Sequence, residues 1–156
     1  ILYKVNAIDP TDVEMLNEYY FETMHHEFAH ILHQKKNYPT EYNQISAADY
    51  SSTGWQNRTE QQAWKLGFVT PYAGMEPQED FVEVIANYLV KPDGFWENML
   101  ANAGTEGATK IQTKFDMVKE WLMTAWNIDI DELRTIIIRR SGDIDSILNE
   151  KIAYNE

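Results

Sequence analysis

The sequence predicts a single, mainly α-helical domain over residues 1–156 with a small β portion. A helix start signal at residues 9–10 is followed by apolar residues at close to the 3.6-residue helical period as far as Lys36. A second apolar stripe of the same period runs through residues 108–125. Strand-like alternation is confined to residues 1–8, which are expected to form a short edge strand.

The turn-forming residues divide the rest of the chain into shorter elements. The first helix, which follows Asp9-Pro10, should end before Asn37 and Pro39, since two lysines precede these stop signals. Residues 37–57 lack sustained periodicity, which is typical of a long loop. A short helix at 40–46 is expected within it, then helices at 58–66, 78–90, 94–102, 105–127, 131–140 and 143–151, with a turn at 67–75.

Composition excludes several classes of partner and ligand. With 25 acidic and 13 basic residues the net charge is −12, so nucleic acid and anionic membranes are not expected partners. No apolar stretch approaches the roughly 20 residues of a transmembrane helix. The chain contains no cysteine, so a metal site would have to use His, Asp or Glu. Since no leader follows Ile1, we expect any targeting signal to lie outside this sequence.

A His-Glu-x-x-His pattern stands inside the first predicted helix. His26 and His30 are four residues apart, so on a helix both imidazoles project from one face and can meet one metal ion. Zinc suits this spacing. Glu27 adjoins His26, and its carboxylate can act as a general base on a water molecule without filling a ligand position. Phe28, Ile31 and Leu32 are expected to bury the other side of the helix.

The two remaining histidines are not expected to be ligands. His33 lies seven residues from His26, which is roughly 10 Å along a helix axis, so it cannot join the same tetrahedral ion. His25 points about 100° away from His26. Both are interpreted as outer-shell or surface histidines.

A catalytic zinc site commonly has three protein ligands, so a third is required. The helix predicted at 78–90 offers Glu79 and Glu83 on one face, and a nearby cation would offset the repulsion between them. We assign Glu79 as the third ligand. Glu83 would then accept the other ring proton of a ligating histidine and fix its tautomer. Without a metal, such a pair would be an ordinary solvated face.

Two strings of the sequence resemble those of a known family. HHEFAHILHQ at residues 25–34 and EDFVE at 79–83 resemble the zinc-binding metallopeptidases found among bacterial lipoproteins and described as substrate import-associated zinc metallohydrolases. The second string is more distantly similar to the EFFAE motif of anthrax lethal factor-type peptidases, in which the first Glu binds zinc. The resemblance implies a zincin-like, gluzincin-type fold with a long His-Glu-x-x-His helix. It also favours Glu79 over Asp80 or Glu83 as the third ligand.

The resemblance has further implications. In lethal factor-type peptidases a Tyr seven residues before that Glu faces the zinc and assists the tetrahedral intermediate, and Tyr72 has this offset here. The family usually carries a longer N-terminal part with a lipidated cysteine, and this chain has neither. The resemblance therefore implies an upstream region, an extracytoplasmic lipoprotein at the bacterial outer membrane, and an association with a nutrient-import system.

These expectations combine into a zinc-dependent metallopeptidase acting on peptides or proteins. In this hypothesis Zn²⁺ is held by His26, His30 and Glu79 and activates water. Glu27 takes the proton of that water and passes it to the leaving amine, while Tyr72 stabilises the oxyanion.

Two alternatives stay open. One is a non-catalytic or degenerate zincin domain that serves as a surface substrate-binding accessory protein of a nutrient-import system. The other is hydrolysis of a non-peptide amide or ester, which the sequence does not distinguish from peptide hydrolysis. An accessory protein could use an aromatic stacking surface, although such residues more often belong to the core; the candidates are Trp55, Trp64, Trp96, Tyr50 and Tyr42.

Overall fold

A computed structural model describes residues 9, 12 and 15–153 of the chain. Within these residues the regular structure is helical, which confirms the mainly α class. The predicted strand at 1–8 lies outside the described residues. A π-helical segment, Leu16–Phe21, leads into α1 (Glu22–Lys35), followed by α2 (Tyr42–Ile45), α3 (Glu60–Leu66), α4 (Pro77–Val90), α5 (Phe95–Asn102), α6 (Gly104–Trp126) and α7 (Ile130–Ala153), with 3-10 turns at Gly54–Asn57 and Tyr72–Gly74.

Helix α4 occupies the centre of the domain. From residue 80 onward nearly every side chain of this helix is buried, because α1, α6 and α7 all pack against it. A helix that is apolar on most of its surface is stable only when it is surrounded in this way. Its first turn begins with Pro77, whose missing N–H costs nothing at that position.

Local signals fix the ends of α3, which is the helix that leads toward the turn at residue 72. The Thr59 hydroxyl accepts a hydrogen bond from the backbone N–H of Gln62, and the Gln62 side chain accepts one from the backbone N–H of Thr59. This capping box satisfies two of the free N–H groups at the helix start. Gly67 ends the helix at φ 90°, a left-handed conformation that favours glycine.

Helix α1 buries only one of the three apolar residues that were expected to face the core, namely Leu32. Ala29, Leu32 and His33 are its buried residues, because α4 packs on that side. Phe28 and Ile31, which were expected to be buried, are 54% and 53% exposed. The apolar period was real, but it did not identify which apolar residues face the neighbouring helix.

The C-terminal region also differs from expectation. Two helices were predicted, with a break at Ser141 and Gly142, whereas α7 is continuous from Ile130 to Ala153. A glycine inside a helix costs only about 1 kcal/mol relative to alanine, which is too little to end a helix of this length. Ser141 satisfies its hydroxyl within the helix by donating to the carbonyl of Ile138 at 2.7 Å.

The five aromatic residues considered for a stacking surface do not form one exposed surface. Tyr42 and Trp64 belong to the buried core, and Tyr50 and Trp96 pack against it. Trp55 is half-buried and contacts Tyr72 edge to face, with ring centroids 5.0 Å apart. Across the described part of the chain, no helix is both long enough and apolar enough to cross a membrane.

Candidate metal centre

Helices α1 and α4 bring the three predicted ligands together. On α1, the Nε2 atoms of His26 and His30 lie 3.2 Å apart. Oε2 of Glu79, in the first turn of α4, lies 3.2 Å from Nε2 of His26 and 3.5 Å from Nε2 of His30. The histidines are neighbours because they are one helical turn apart. Glu79 reaches them because α4 packs directly against α1.

The donor set fits a zinc ion. Nitrogen and oxygen ligands about 2.0–2.2 Å from a tetrahedral zinc stand about 3.3–3.6 Å from one another, close to the separations among these three atoms. Oε2 of Glu79 is buried and has no hydrogen-bond partner. Two imidazole nitrogens and a carboxylate oxygen at these separations could together hold one metal ion. Three protein ligands would leave the fourth position open, as catalytic zinc sites do.

Glu83 holds His26 from the side away from this centre. Its Oε1 atom lies 2.7 Å from Nδ1 of His26, which is hydrogen-bond distance. If Nδ1 carries the proton and donates it, Nε2 of His26 keeps its lone pair for a metal. Glu83 thus has the position that was predicted for an outer carboxylate, while Glu79 faces both Nε2 atoms.

Two residues that the sequence did not suggest orient Glu83. The Thr70 hydroxyl donates to Oε2 of Glu83 at 2.6 Å and accepts from the backbone N–H of Ala73 at 3.1 Å. The side-chain amide of Asn87 donates to the backbone carbonyl of Glu83 at 3.0 Å and approaches Oε2 at 3.4 Å. Asn87 could have been found by continuing the four-residue series from Glu79 and Glu83 along the helix. Thr70 had no such signal, because its contact depends on the tertiary fold.

The electrostatics of His26 follow from these neighbours. Burial opposes protonation of the ring. The hydrogen bond to Glu83, together with the charges of Glu83, Glu79 and Glu27, outweighs burial and raises the pKa of His26 above its ordinary value. The local field therefore favours a positive charge at this point, whether a proton or a metal ion carries it.

Glu27 and Tyr72 line the same cleft as His26 and Glu83, with a volume of about 270 Å³. The ring of Tyr72 lies 6.0 Å from the ring of His26, centroid to centroid. Burial, reinforced by the negative charge of Glu79, raises the pKa of Tyr72 to about 12. The phenol thus keeps its proton near neutral pH and can act as a hydrogen-bond donor.

Neither of the other two histidines belongs to the ligand set. His25 lines an apolar cavity with Phe21, Met24 and Phe28, and burial lowers its pKa. His33 is buried on the α4 side of α1, where its Nε2 atom lies 3.0 Å from Nδ1 of His30.

Similarity to known proteins agrees with this geometry. A family model described as "Putative zinc-binding metallo-peptidase" matches residues 1–131. A crystal structure described as a putative zinc-binding metallo-peptidase from Bacteroides caccae ATCC 43185 shares 52% sequence identity with the chain at a TM-score of 0.85. The match covers 90% of this chain and 54% of the Bacteroides chain, so this chain spans about half the length of that relative. No curated protein shows significant similarity.

Proposed function

Because the chain belongs to the family described as putative zinc-binding metallo-peptidases, we propose that it is a zinc-dependent peptidase in which His26, His30 and Glu79 hold the metal. One observation carries the proposal, namely the convergence of two Nε2 atoms and one carboxylate oxygen at 3.2–3.5 Å from each other. Zinc, when bound, supplies Lewis acidity that polarises an amide carbonyl and lowers the pKa of water.

Glu27 is the general base in this proposal. It adjoins His26 on α1, it is an exposed residue, and it lines a cleft together with His26. Glu27 takes a proton from water as the water oxygen bonds to the carbonyl carbon of the substrate. It returns that proton to the amide nitrogen as the carbon–nitrogen bond breaks.

Tyr72 acts on the other side of the reacting carbonyl. Its phenol donates a hydrogen bond to the carbonyl oxygen as negative charge develops there, which lowers the barrier more than it strengthens substrate binding. Glu83 and Thr70 keep the proton of His26 on Nδ1. Each residue therefore has one task, and Glu27 is the one that gains and loses a proton during the reaction.

Glu27→Gln tests the proposal. Zinc affinity should stay the same, because Glu27 is not a ligand, whereas cleavage of an unbiased peptide library in stoichiometric zinc should fall by at least about 100-fold. Glu60→Gln, an equivalent change at an exposed position on α3, is the matched control and should cleave like the unaltered protein. Equal cleavage by the Glu27 variant, or zinc binding by the unaltered protein with no cleavage, would overturn peptidase action by this mechanism.

A further inference from the structure

His26 and His30 each have a hydrogen-bond partner at Nδ1, and the two partners differ in chemistry. Each ligating imidazole presents Nε2 to the centre, so each Nδ1 faces away from it. Behind His26 stands the carboxylate of Glu83, at 2.7 Å from Nδ1. Behind His30 stands another imidazole, that of His33, with its Nε2 atom at 3.0 Å from Nδ1 of His30.

We propose that His33 is a positioning residue for His30: it accepts the proton of His30 Nδ1 in a hydrogen bond and so directs the lone pair of His30 Nε2 toward the metal. The inference rests on the proposed metal centre and is independent of the proposed catalysis. An imidazole can accept at Nε2 only when its own proton is on Nδ1, so the arrangement also specifies the tautomer of His33.

The surroundings of His33 suit a fixed acceptor. The residue is 7% exposed, and its ring meets the rings of Tyr38 and Phe81 edge to face at 5.6 and 6.4 Å. Tyr38 in turn stacks on Phe81 with centroids 4.3 Å apart and donates its hydroxyl to Oδ1 of Asn43 at 3.0 Å. This packing limits rotation of the His33 ring, so the acceptor atom stays where His30 needs it.

The spacing of the three histidines explains how one helix supplies both a ligand and its support. His33 lies three residues after His30 on α1, which places the two rings side by side. It lies seven residues after His26, too far along the axis to become a ligand itself. Outer partners of metal-binding histidines typically contribute 10–100-fold in metal affinity, because without them the ring samples the wrong tautomer and orientation.

The test compares zinc affinities of His33 variants, measured by competition with a chromogenic chelator. His33→Phe keeps a ring of similar size in the packing but removes the acceptor, so zinc affinity should fall about 10–100-fold. His33→Gln carries an oxygen at the place of Nε2 and should recover most of the loss. His25→Phe, on the same helix but facing the apolar cavity, should bind zinc like the unaltered protein. Wild-type affinity in His33→Phe, or no recovery in His33→Gln, would overturn the inference.

A second measurement needs no variant and therefore does not depend on their folding. In the zinc-loaded, ¹⁵N-labelled protein, the ring nitrogen shifts of His33 should report a proton on Nδ1 and a bare, hydrogen-bonded Nε2. A proton on Nε2 of His33 would overturn the inference, because that atom would then be a donor. His30→Ala separates the two proposals: if it binds zinc normally, the metal centre itself is wrong, and if it loses zinc while His33→Phe does not, only the role of His33 is wrong.

Discussion

The ammonium group of Lys114 lies 2.6 Å from Oδ2 of Asp80, and both side chains are completely buried. The same carboxylate oxygen accepts the hydroxyl of Tyr50 at 2.6 Å, and Lys114 also donates to the carbonyl of Gly67 at 2.7 Å. Burial raises the pKa of Asp80, and the charge of Lys114 opposes that shift. The pair joins α6 to α4 at the residue next to Glu79, so it ties the start of α4 to the rest of the domain.

Lys114→Met should therefore destabilise the fold strongly. A buried ion pair that loses one partner leaves a buried charge without compensation, which costs about 3–5 kcal/mol. Urea unfolding of the metal-free protein measures the loss. Lys110→Met is the control, since Lys110 lies one turn earlier on α6 and its pairs with Asp49 and Glu106 are partly exposed. It should cost less than about 1 kcal/mol. Equal losses of unfolding free energy in the two variants would show that burial of the Lys114–Asp80 pair does not determine the cost.

The two glutamates of α4 should differ in their effect on zinc affinity. Glu79→Gln removes a proposed ligand charge and should weaken zinc binding by more than about 100-fold, whereas Glu83→Gln removes an outer partner and should weaken it by about 10–100-fold. Chelator competition measures both. Glu76→Gln, an exposed residue just before α4, makes the same chemical change outside the ligand set and should leave the affinity unaltered. A larger loss in Glu83→Gln than in Glu79→Gln would exchange their roles.

Tyr72→Phe should separate binding from catalysis. The variant keeps the ring against His26 and Trp55 but removes the phenol that is proposed to donate to the developing oxyanion. Loss of such a donor lowers kcat by about 100–1,000-fold, while zinc affinity and KM should change little. Steady-state kinetics on a cleaved library peptide provide the measurement, with Tyr19→Phe at a 61% exposed position as control. A rise in KM at unchanged kcat would instead indicate that Tyr72 only binds substrate.

The sequence predicted the parts of the site that depend on helical spacing. His26, His30 and Glu27 follow from one local pattern, and Glu79 was chosen with the help of a family resemblance. The structure brings ligand atoms of His26, His30 and Glu79 within 4.8 Å of one another, and Glu27 lines a cleft with His26. Thr70 could not be predicted, because its contact with Glu83 joins a turn to a helix 13 residues away. The outer-membrane location and the link to nutrient import, both implied by the resemblance alone, stay predictions.

The fold was predictable to a similar extent and for similar reasons. Thr59 and Gly67 fix the ends of α3 through contacts within a few residues, and the sequence predicted this helix at 58–66. Which face of α1 is buried depends on where α4 lies, so Phe28 and Ile31 were misassigned. Helix α7 was wrongly divided at Ser141 and Gly142, because a single glycine was taken as a helix end although its cost is small for a helix of this length.

Gly107 and Gly142 allow the same substitution to be tested in opposite environments. A Cβ atom at Gly107 would overlap the carbonyl oxygen of Trp64 and stand 3.0 Å from backbone atoms of Lys65, because α6 and α3 pack closely there. Gly107→Ala should therefore cost about 1–3 kcal/mol, even after the gain in helix propensity. At Gly142 nothing lies within 4 Å of the added atom. Gly142→Ala should stabilise the protein by about 0.5–1 kcal/mol.

Urea unfolding of the two variants under identical conditions tests this, because the free energy of unfolding should fall in Gly107→Ala and rise in Gly142→Ala. Backbone atoms of α3 cannot rotate away as a flexible side chain would, so relief of the overlap at Gly107 requires α3 and α6 to separate. Helix α3 leads into the segment that carries Thr70 and Tyr72, so the separation should also lower zinc affinity in Gly107→Ala but not in Gly142→Ala. Stabilisation by both substitutions would mean that α3 and α6 do not pack at this distance in solution.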